Sequence, residues 1–118
     1  MLKFVKKVWG SEEWLVNSDL YCAKYLNLVR GYQCSLHYHE IKDETFYILE
    51  GRVDLEIQYQ EGGVGIRRVM ALSKGDQFRI KPGLKHKFLA TSDTAKILEV
   101  STTHFDSDSY RLEPSGQV

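Results

Sequence analysis

Two histidines separated by one residue are the feature of this sequence that most directly indicates chemistry. His37 and His39 lie in a segment typical of an extended strand, and Glu44 follows five residues later. Side chains two positions apart on a strand point to the same face, roughly 6.5–7 Å apart, so both imidazoles can approach one point. The pair is therefore predicted to chelate a metal ion, and a turn with a returning strand would bring Glu44 beside it.

A third histidine extends this candidate ligand set. His86 follows the turn residues Pro82 and Gly83 in a second glycine-containing segment. Imidazole and carboxylate ligands together suit Mn, Fe, Co, Ni or Zn, whereas Mg and Ca favour shells made of oxygen alone. We therefore predict one divalent transition metal, of any of these five kinds, with the ligands His37, His39, Glu44 and His86.

Short strands are the elements expected to position these residues. Alternating apolar and polar residues recur at spacings of about 8–12 residues, and no segment of ten or more residues has the helical period. The run from Arg52 to Tyr59 is the clearest case, since Val53, Leu55 and Ile57 share one face. About nine or ten strands are expected, which indicates a small antiparallel β-sandwich or barrel.

Length and charge narrow the class of protein. A chain of 118 residues is the size of one ordinary domain, with a strand arm expected over residues 1–17 and a polar tail over residues 106–118. The tail is expected to form one helical turn and to be disordered from Pro114. Because 16 basic residues balance 16 acidic ones, no overall positive field exists to attract nucleic acid or an anionic membrane.

The cysteines indicate the compartment. The chain has two, Cys22 and Cys34, and its first residues lead directly into a strand-like pattern without a leading apolar segment. We therefore predict a cytoplasmic protein in which both thiols are free and pack as small apolar groups.

The spacing of the candidate ligands resembles the two sequence motifs of the cupin superfamily. Two departures occur, since Lys81 replaces a usual proline and Ala90 a common asparagine, but neither is at a ligand position. The resemblance implies a jelly-roll-like β-barrel of two antiparallel sheets and the same four metal ligands. The matching residues are Gly31, His37, His39, Glu44 and Gly51 in the first motif, and Gly75, Asp76, Pro82, Gly83 and His86 in the second.

Further segments are similar to the cupin domain of bacterial type II mannose-6-phosphate isomerases. One departure matters, because those enzymes usually have glutamine where this chain has His37. The resemblance implies a metal-dependent aldose–ketose isomerase acting on a sugar or a sugar phosphate, with the individual sugar left open. The similar segments are residues 8–11, 85–87, 97–100 and 106–111.

Alternation along the strands suggests which residues meet a small-molecule substrate. Ser35, Phe46 and Phe88 are expected to face the metal, where the two rings would keep the site dry. Lys85 and Lys87 flank His86 and would lie near the mouth, where they could bind an anionic group. Glu99 is a candidate proton carrier if its face of the last strand points inward. His104 is expected at the surface.

Two other functions are alternatives for this barrel. A dioxygenase or lyase could use the open metal positions for a different small molecule, and a non-catalytic cupin could bind a sugar without turnover. A homodimer is also predicted, with Trp9 and Trp14 supplying the aromatic contact surface.

Overall fold

The computed structural model describes residues 2–118, and strands make up most of this range. One turn of 3-10 helix, Asp106–Asp108, is the exception to the strand architecture in the described residues. The strands, numbered in chain order, are β1 Lys3–Lys7, β2 Gly10–Asn17, β3 Cys22–Val29, β4 Tyr32–Gln33, β5 Leu36–Tyr38, β6 Glu44–Glu50, β7 Arg52–Glu61, β8 Val64–Ser73, β9 Gln77–Ile80, β10 Lys85–Ala90, β11 Thr94–Ser101, β12 Tyr110–Glu113 and β13 Gly116–Gln117.

Two antiparallel sheets enclose the interior. The first sheet has the strand order β1-β2-β3-β11-β6-β9, and the second has β12-β5-β10-β4-β13, with the β7–β8 hairpin joined to it through β10. This arrangement confirms the predicted all-β, jelly-roll-like barrel. Strands β4, β5, β12 and β13 have two to four residues each, which is too short for alternation to reveal them, so the expected number of strands was too low.

The interior is apolar at one end of the first sheet and polar at the other. Strand β3 buries Leu26 and Leu28 toward one end and Lys24 toward the other, and β11 buries Ile97 and then Glu99. The apolar end belongs to a single core cluster that also includes Ile48, Val53, Leu55, Ile80 and Phe88. Neither Cys22 nor Cys34 forms a disulfide, and both are buried. The polar end is therefore the place where the fold leaves room for chemistry.

The N-terminal hairpin of β1 and β2 extends the first sheet, and its tryptophan is part of the core. Trp9 is 5% exposed and packs edge-to-face on Phe88, with 5.4 Å between the ring centroids. The prediction that Trp9 supplies an aromatic subunit contact is therefore wrong. The turn between the two strands folds the ring inward, and sequence alternation alone does not reveal that direction.

The C-terminal tail is ordered, which corrects the expected disorder from Pro114. Strand β13 pairs with β4, where Gly116 lies opposite Gln33, and the Val118 amide donates to the Gly31 carbonyl at 2.9 Å. Main-chain pairing needs no apolar side chains, so a polar composition conceals it. Among residues 2–118 no helix is long and apolar enough to cross a lipid bilayer.

Candidate metal centre

The four ligand residues predicted from the sequence converge between the two sheets. His37 on β5 lies directly opposite His86 on β10, and His39 follows β5 by one residue. Nitrogen atoms of the three imidazoles, one from each ring, all lie within 4.8 Å of one another. Glu44 comes from the start of β6 in the other sheet, and its Oε2 is 3.1 Å from His39 Nε2 and 3.9 Å from His86 Nε2.

Backbone carbonyls fix the orientation of all three rings. His37 Nδ1 is 2.8 Å from the Ser35 carbonyl oxygen, His39 Nδ1 is 2.7 Å from that of Asp108, and His86 Nδ1 is 2.9 Å from that of Leu84. Because a carbonyl oxygen can only accept, each Nδ1 carries the proton and donates it. Each Nε2 is then left as the atom that can bind a metal, which is the usual arrangement of metal-binding histidines.

Burial keeps two of the imidazoles neutral. It lowers the pKa of His37 to about 3, with a further contribution from His86, and it lowers the pKa of His86 to about 4. Burial also lowers the pKa of His39, but the adjacent Glu44 carboxylate outweighs this effect and the pKa of His39 is raised. The cluster therefore offers two neutral imidazoles and a third that is held by one carboxylate, which is a donor set for a divalent transition metal once the third has released its proton.

Two buried atoms at the centre of the cluster test whether a metal fits. Glu44 Oε2 and His86 Nε2 are inaccessible to solvent and have no hydrogen-bond partner among the residues that the structure describes. Leaving such a group unsatisfied costs about 1–3 kcal/mol. A metal ion bound by these atoms would satisfy both, so the residues present fit the predicted metal.

Asp108 stabilises the loop between His39 and Glu44. It was predicted only as part of a segment and not as an individual residue. Its carboxylate accepts hydrogen bonds from the backbone amides of residues 40, 41 and 42, at 2.9, 3.1 and 2.9 Å. Burial would raise the pKa of Asp108, but these amides outweigh it and the pKa is lowered. Since its carbonyl also holds His39, Asp108 fixes the segment that links two of the ligands. Its place within the isomerase-like segment 106–111 was the one signal available.

A cavity of about 990 Å³ opens onto the centre. Its wall includes His37, His39 and Glu44. Ser35, Phe46 and Phe88 also line it, as alternation suggested. The two lysines that flank His86 lie outside it. Lys85 is exposed, and the Lys87 ammonium is 3.7 Å from Glu113 Oε1 on β12.

Buried charged residues line the same cavity on the side of the first sheet. Glu99 faces inward, and its Oε2 is 2.7 Å from the Lys42 ammonium, which also donates to His104 Nδ1 at 3.1 Å. Burial alone would raise the pKa of Glu99, but Lys42 lowers it to about 2. The surface position expected for His104 is wrong, since its side chain is 14% exposed and lines the cavity.

Neither Lys24 nor Lys42 was predicted from the sequence to line the cavity. Lys24 is on β3, at a position that shares the inward face with Leu26 and Leu28, and is 2% exposed. That shared face is the signal that could have located it, although a lysine among apolar residues usually indicates an outward position. Lys42 lies in the loop before β6, where no periodicity applies.

A comparison with known families agrees with this geometry. The model of the cupin domain matches residues 25–101, a range that contains all four candidate ligands. The chain belongs to the cupin family. The family predicted from the two motifs is thereby confirmed.

Sugar isomerases are among the relatives of this cupin. A D-lyxose ketol-isomerase of Cohnella laeviribosi is 29% identical over an alignment that covers 84% of this chain and 65% of the relative. A D-lyxose/D-mannose isomerase of Thermosediminibacter oceani is 31% identical, with 80% of this chain and 62% of the relative covered. The cupin spans just under two thirds of the length of either enzyme. Both relatives agree with the resemblance to isomerases.

Solved structures share the fold. Oxalate decarboxylase of Bacillus subtilis superimposes with a TM-score of 0.82 at 20% identity, over 94% of this chain and 30% of that one. Another structure of the same enzyme was determined in a study of its Mn(II) centres. At this identity the likeness shows a common barrel.

Proposed function

We propose that this cupin binds one divalent transition metal through His37, His39, Glu44 and His86 and interconverts an aldose and a ketose. The observation that carries the proposal is a pair of buried atoms without a hydrogen-bond partner in the described part of the chain, Glu44 Oε2 and His86 Nε2, within a cluster of three imidazoles beside a cavity of about 990 Å³. The two sugar isomerase relatives support a sugar, free or phosphorylated, as the substrate.

Each part of the cavity has a role in such a reaction. A divalent metal held there would act as a Lewis acid toward the carbonyl of an open-chain sugar. Phe46 and Phe88 narrow the access of water, and in a dry site electrostatic interactions are stronger. Ser35 lies beside His37, with 3.2 Å between its Oγ and Nδ1, and its hydroxyl is available to a sugar hydroxyl.

Glu99 is the proposed proton carrier. The isomerisation removes a proton from the carbon next to the carbonyl and returns it to the former carbonyl carbon, so one base can do both. The hydroxyl proton on that neighbouring carbon passes to the former carbonyl oxygen, so the overall reaction gains and loses no atoms. Glu99 is on the cavity wall, and its inward direction is what this role requires. Its ion pair with Lys42 makes it a weak base while the pair is closed, so a substrate must draw Lys42 away for Glu99 to act. Lys85 and Lys87 remain predicted substrate contacts. Their position outside the cavity does not favour this role.

Proton exchange during turnover tests this proposal. The protein is loaded in turn with Mn, Fe(II), Co, Ni and Zn, incubated in D₂O with aldoses, ketoses and their phosphates, and followed by NMR. We expect a new sugar isomer that carries deuterium at C1 or C2. Glu99→Gln should keep the metal and lose the exchange, whereas His39→Ala should lose both. No interconversion with any of these metals would contradict the proposal.

The same measurements distinguish the other two functions. Consumption of oxygen with Fe(II) and not with Zn would favour a dioxygenase, and cleavage of the added compound would favour a lyase. Saturable sugar binding without any product, unchanged in His39→Ala, would favour a sugar-binding cupin. Cytoplasmic location and a homodimer stay predictions.

A further inference from the structure

Lys24 is a buried ammonium in the cavity wall that the proposed reaction does not use. It lies on the inward face of β3 and is 2% exposed. Its Nζ is 3.9 Å from the centroid of the Trp14 ring and 3.7 Å from Glu12 Oε1. The side chain is therefore held against an aromatic surface and directed into the cavity.

The Lys24 ammonium forms a loose ion pair with Glu12, which is engaged elsewhere. Glu12 Oε1 already accepts a hydrogen bond from Trp14 Nε1 at 2.9 Å, and the other Glu12 oxygen is 3.9 Å from Lys7 Nζ. At 3.7 Å the contact of Lys24 with Glu12 is an ion pair that is too long for a hydrogen bond, and burial lowers the pKa of Lys24 although Glu99 and Glu12 act to raise it. Because this ion pair leaves the N–H groups of Lys24 without a close acceptor among residues 2–118, a ligand oxygen in the cavity would supply one.

Strand pairing sets the distance between Lys24 and the metal centre. Lys24 lies opposite Glu99, Glu99 lies opposite Phe46, and Phe46 is the next inward residue after Glu44. Lys24 is thus two strands away from the strand of Glu44, roughly 10 Å across the sheet. An open-chain sugar with a phosphate at its far end has a length of this order.

Basic residues outnumber acidic ones by one in the cavity wall, and two lysines meet at the Trp14 ring. The cavity wall includes six basic and five acidic residues, and Glu44, one of the five, belongs to the metal centre. Lys3 lies over the Trp14 ring as well, with its Nζ 4.2 Å from the centroid. A dianionic phosphate would receive hydrogen bonds from Lys24 that a sugar hydroxyl, with no charge, would receive more weakly.

We propose that Lys24, seated over Trp14, forms a second subsite for a phosphate monoester at the end of the sugar remote from its carbonyl. This assignment rests on the proposed function, which places the carbonyl end at the metal centre. It makes phosphorylated sugars the preferred substrate class.

Binding affinities measured by calorimetry test the subsite without requiring turnover. The probes are D-mannose, D-mannose 6-phosphate and inorganic phosphate, each with the metal-loaded protein. Hydrogen bonds to a charged group predict a dissociation constant roughly tenfold or more lower for the phosphorylated sugar than for the free sugar. Lys24→Met should abolish this difference and the binding of inorganic phosphate, while leaving the affinity for D-mannose unchanged.

A matched control is available on the other face of the same sheet. Lys96 lies over the Tyr25 ring, with its Nζ 4.2 Å from the centroid, and points away from the cavity. Lys96→Met should therefore keep the preference for the phosphorylated sugar. Equal affinity of the wild-type protein for the two sugars, or an equal loss in both variants, would overturn the subsite.

The outcomes separate the subsite from the reaction. A phosphate preference that depends on Lys24, in a protein that isomerises no sugar, would support the subsite and contradict the proposed function. Isomerisation of free sugars without any preference for the phosphorylated sugar would support the proposed function and contradict the subsite. Lys24→Met should fold, because an apolar side chain of similar length replaces a buried charge, and Lys24→Gln provides a second variant with the same expected loss of preference.

Discussion

The three candidate ligand histidines are each positioned by a main-chain carbonyl, so the geometry of the cluster depends on the backbone as much as on side chains. Their Nδ1 atoms are used by Ser35, Asp108 and Leu84, which leaves Nε2 for the metal. The spacing of the histidines and Glu44 was sufficient to predict that these side chains converge, because alternation on a strand fixes which side chains share a face. The carbonyl partners could not be predicted, since backbone atoms leave no trace in the residue types.

Removal of one ligand should abolish metal binding without unfolding the barrel. His86→Ala leaves two imidazoles and a carboxylate, and we expect the affinity for Zn or Mn to fall by more than the roughly 10–100-fold loss typical of a supporting residue. Metal content after dialysis, measured by elemental analysis, should fall from about one ion per chain to a small fraction of that value.

His104→Ala is the control for this change. His104 lines the cavity and contacts Lys42 and Asp106, yet it is outside the ligand cluster. This variant should retain its metal. Equal metal content in both variants would show that His86 is not a ligand.

At the level of strands, pairing across the first sheet determines which charged residues meet. Glu99 and Lys24 are opposite each other on β11 and β3, and Lys42 reaches Glu99 from a loop. Alternation predicted the longer strands, but it could not tell which long-range partners a face would meet. For this reason Lys24 was missed, and the inward direction of Glu99 was open until the pairing was known. Lys42 and His104 were missed because they lie in loops, where no alternation applies.

The buried ion pair of Glu99 and Lys42 should make stability depend on pH. The pKa of Glu99 is lowered by Lys42 to about 2 in the folded protein, against about 4.3 when unfolded. Its contribution is therefore fully present above the unfolded value and is lost as the pH falls from about 4 toward 2. Glu99→Gln should be less stable by about 3–5 kcal/mol at pH 7, because it leaves the Lys42 charge unpaired.

Urea denaturation at several pH values measures this dependence. The difference in free energy of unfolding between wild type and Glu99→Gln should shrink as the pH falls below 4. The double variant Lys42→Met with Glu99→Leu should recover most of the stability at pH 7, since both charges are then removed. A single variant as stable as the wild type at pH 7 would refute the coupling.

The turn between β1 and β2 requires glycine at position 10. Gly10 has φ of +145°, and a Cβ placed on it would lie 1.8 Å from the Asn27 carbonyl oxygen. Gly10→Ala is expected to destabilise the protein by about 2–4 kcal/mol through strain and displacement of the hairpin. Gly65→Ala on β8 meets nothing within 4 Å and should be neutral or slightly stabilising. Similar urea midpoints for the two variants would contradict this reason for glycine.

For the whole molecule, burial of Trp9 changes where a second copy could bind. The predicted homodimer cannot use that ring, but the outer face of the first sheet exposes Tyr47 and Val100, which are 39% and 51% accessible on neighbouring strands. Apolar residues on one sheet face are typical of an interface between identical subunits. We therefore expect the homodimer to form through this face.

Molar mass in solution decides this question. Light scattering at tens of micromolar should give twice the chain mass of 13.7 kDa for the wild type and the mass of one chain for Val100→Asp. Val69→Asp is the control, because Val69 is 48% exposed on β8 of the other sheet and its variant should stay dimeric. If the wild-type mass is that of one chain, the dimer is wrong. If both variants dissociate, the loss is not specific to the outer face of the first sheet, and the assignment of the interface to that face is contradicted.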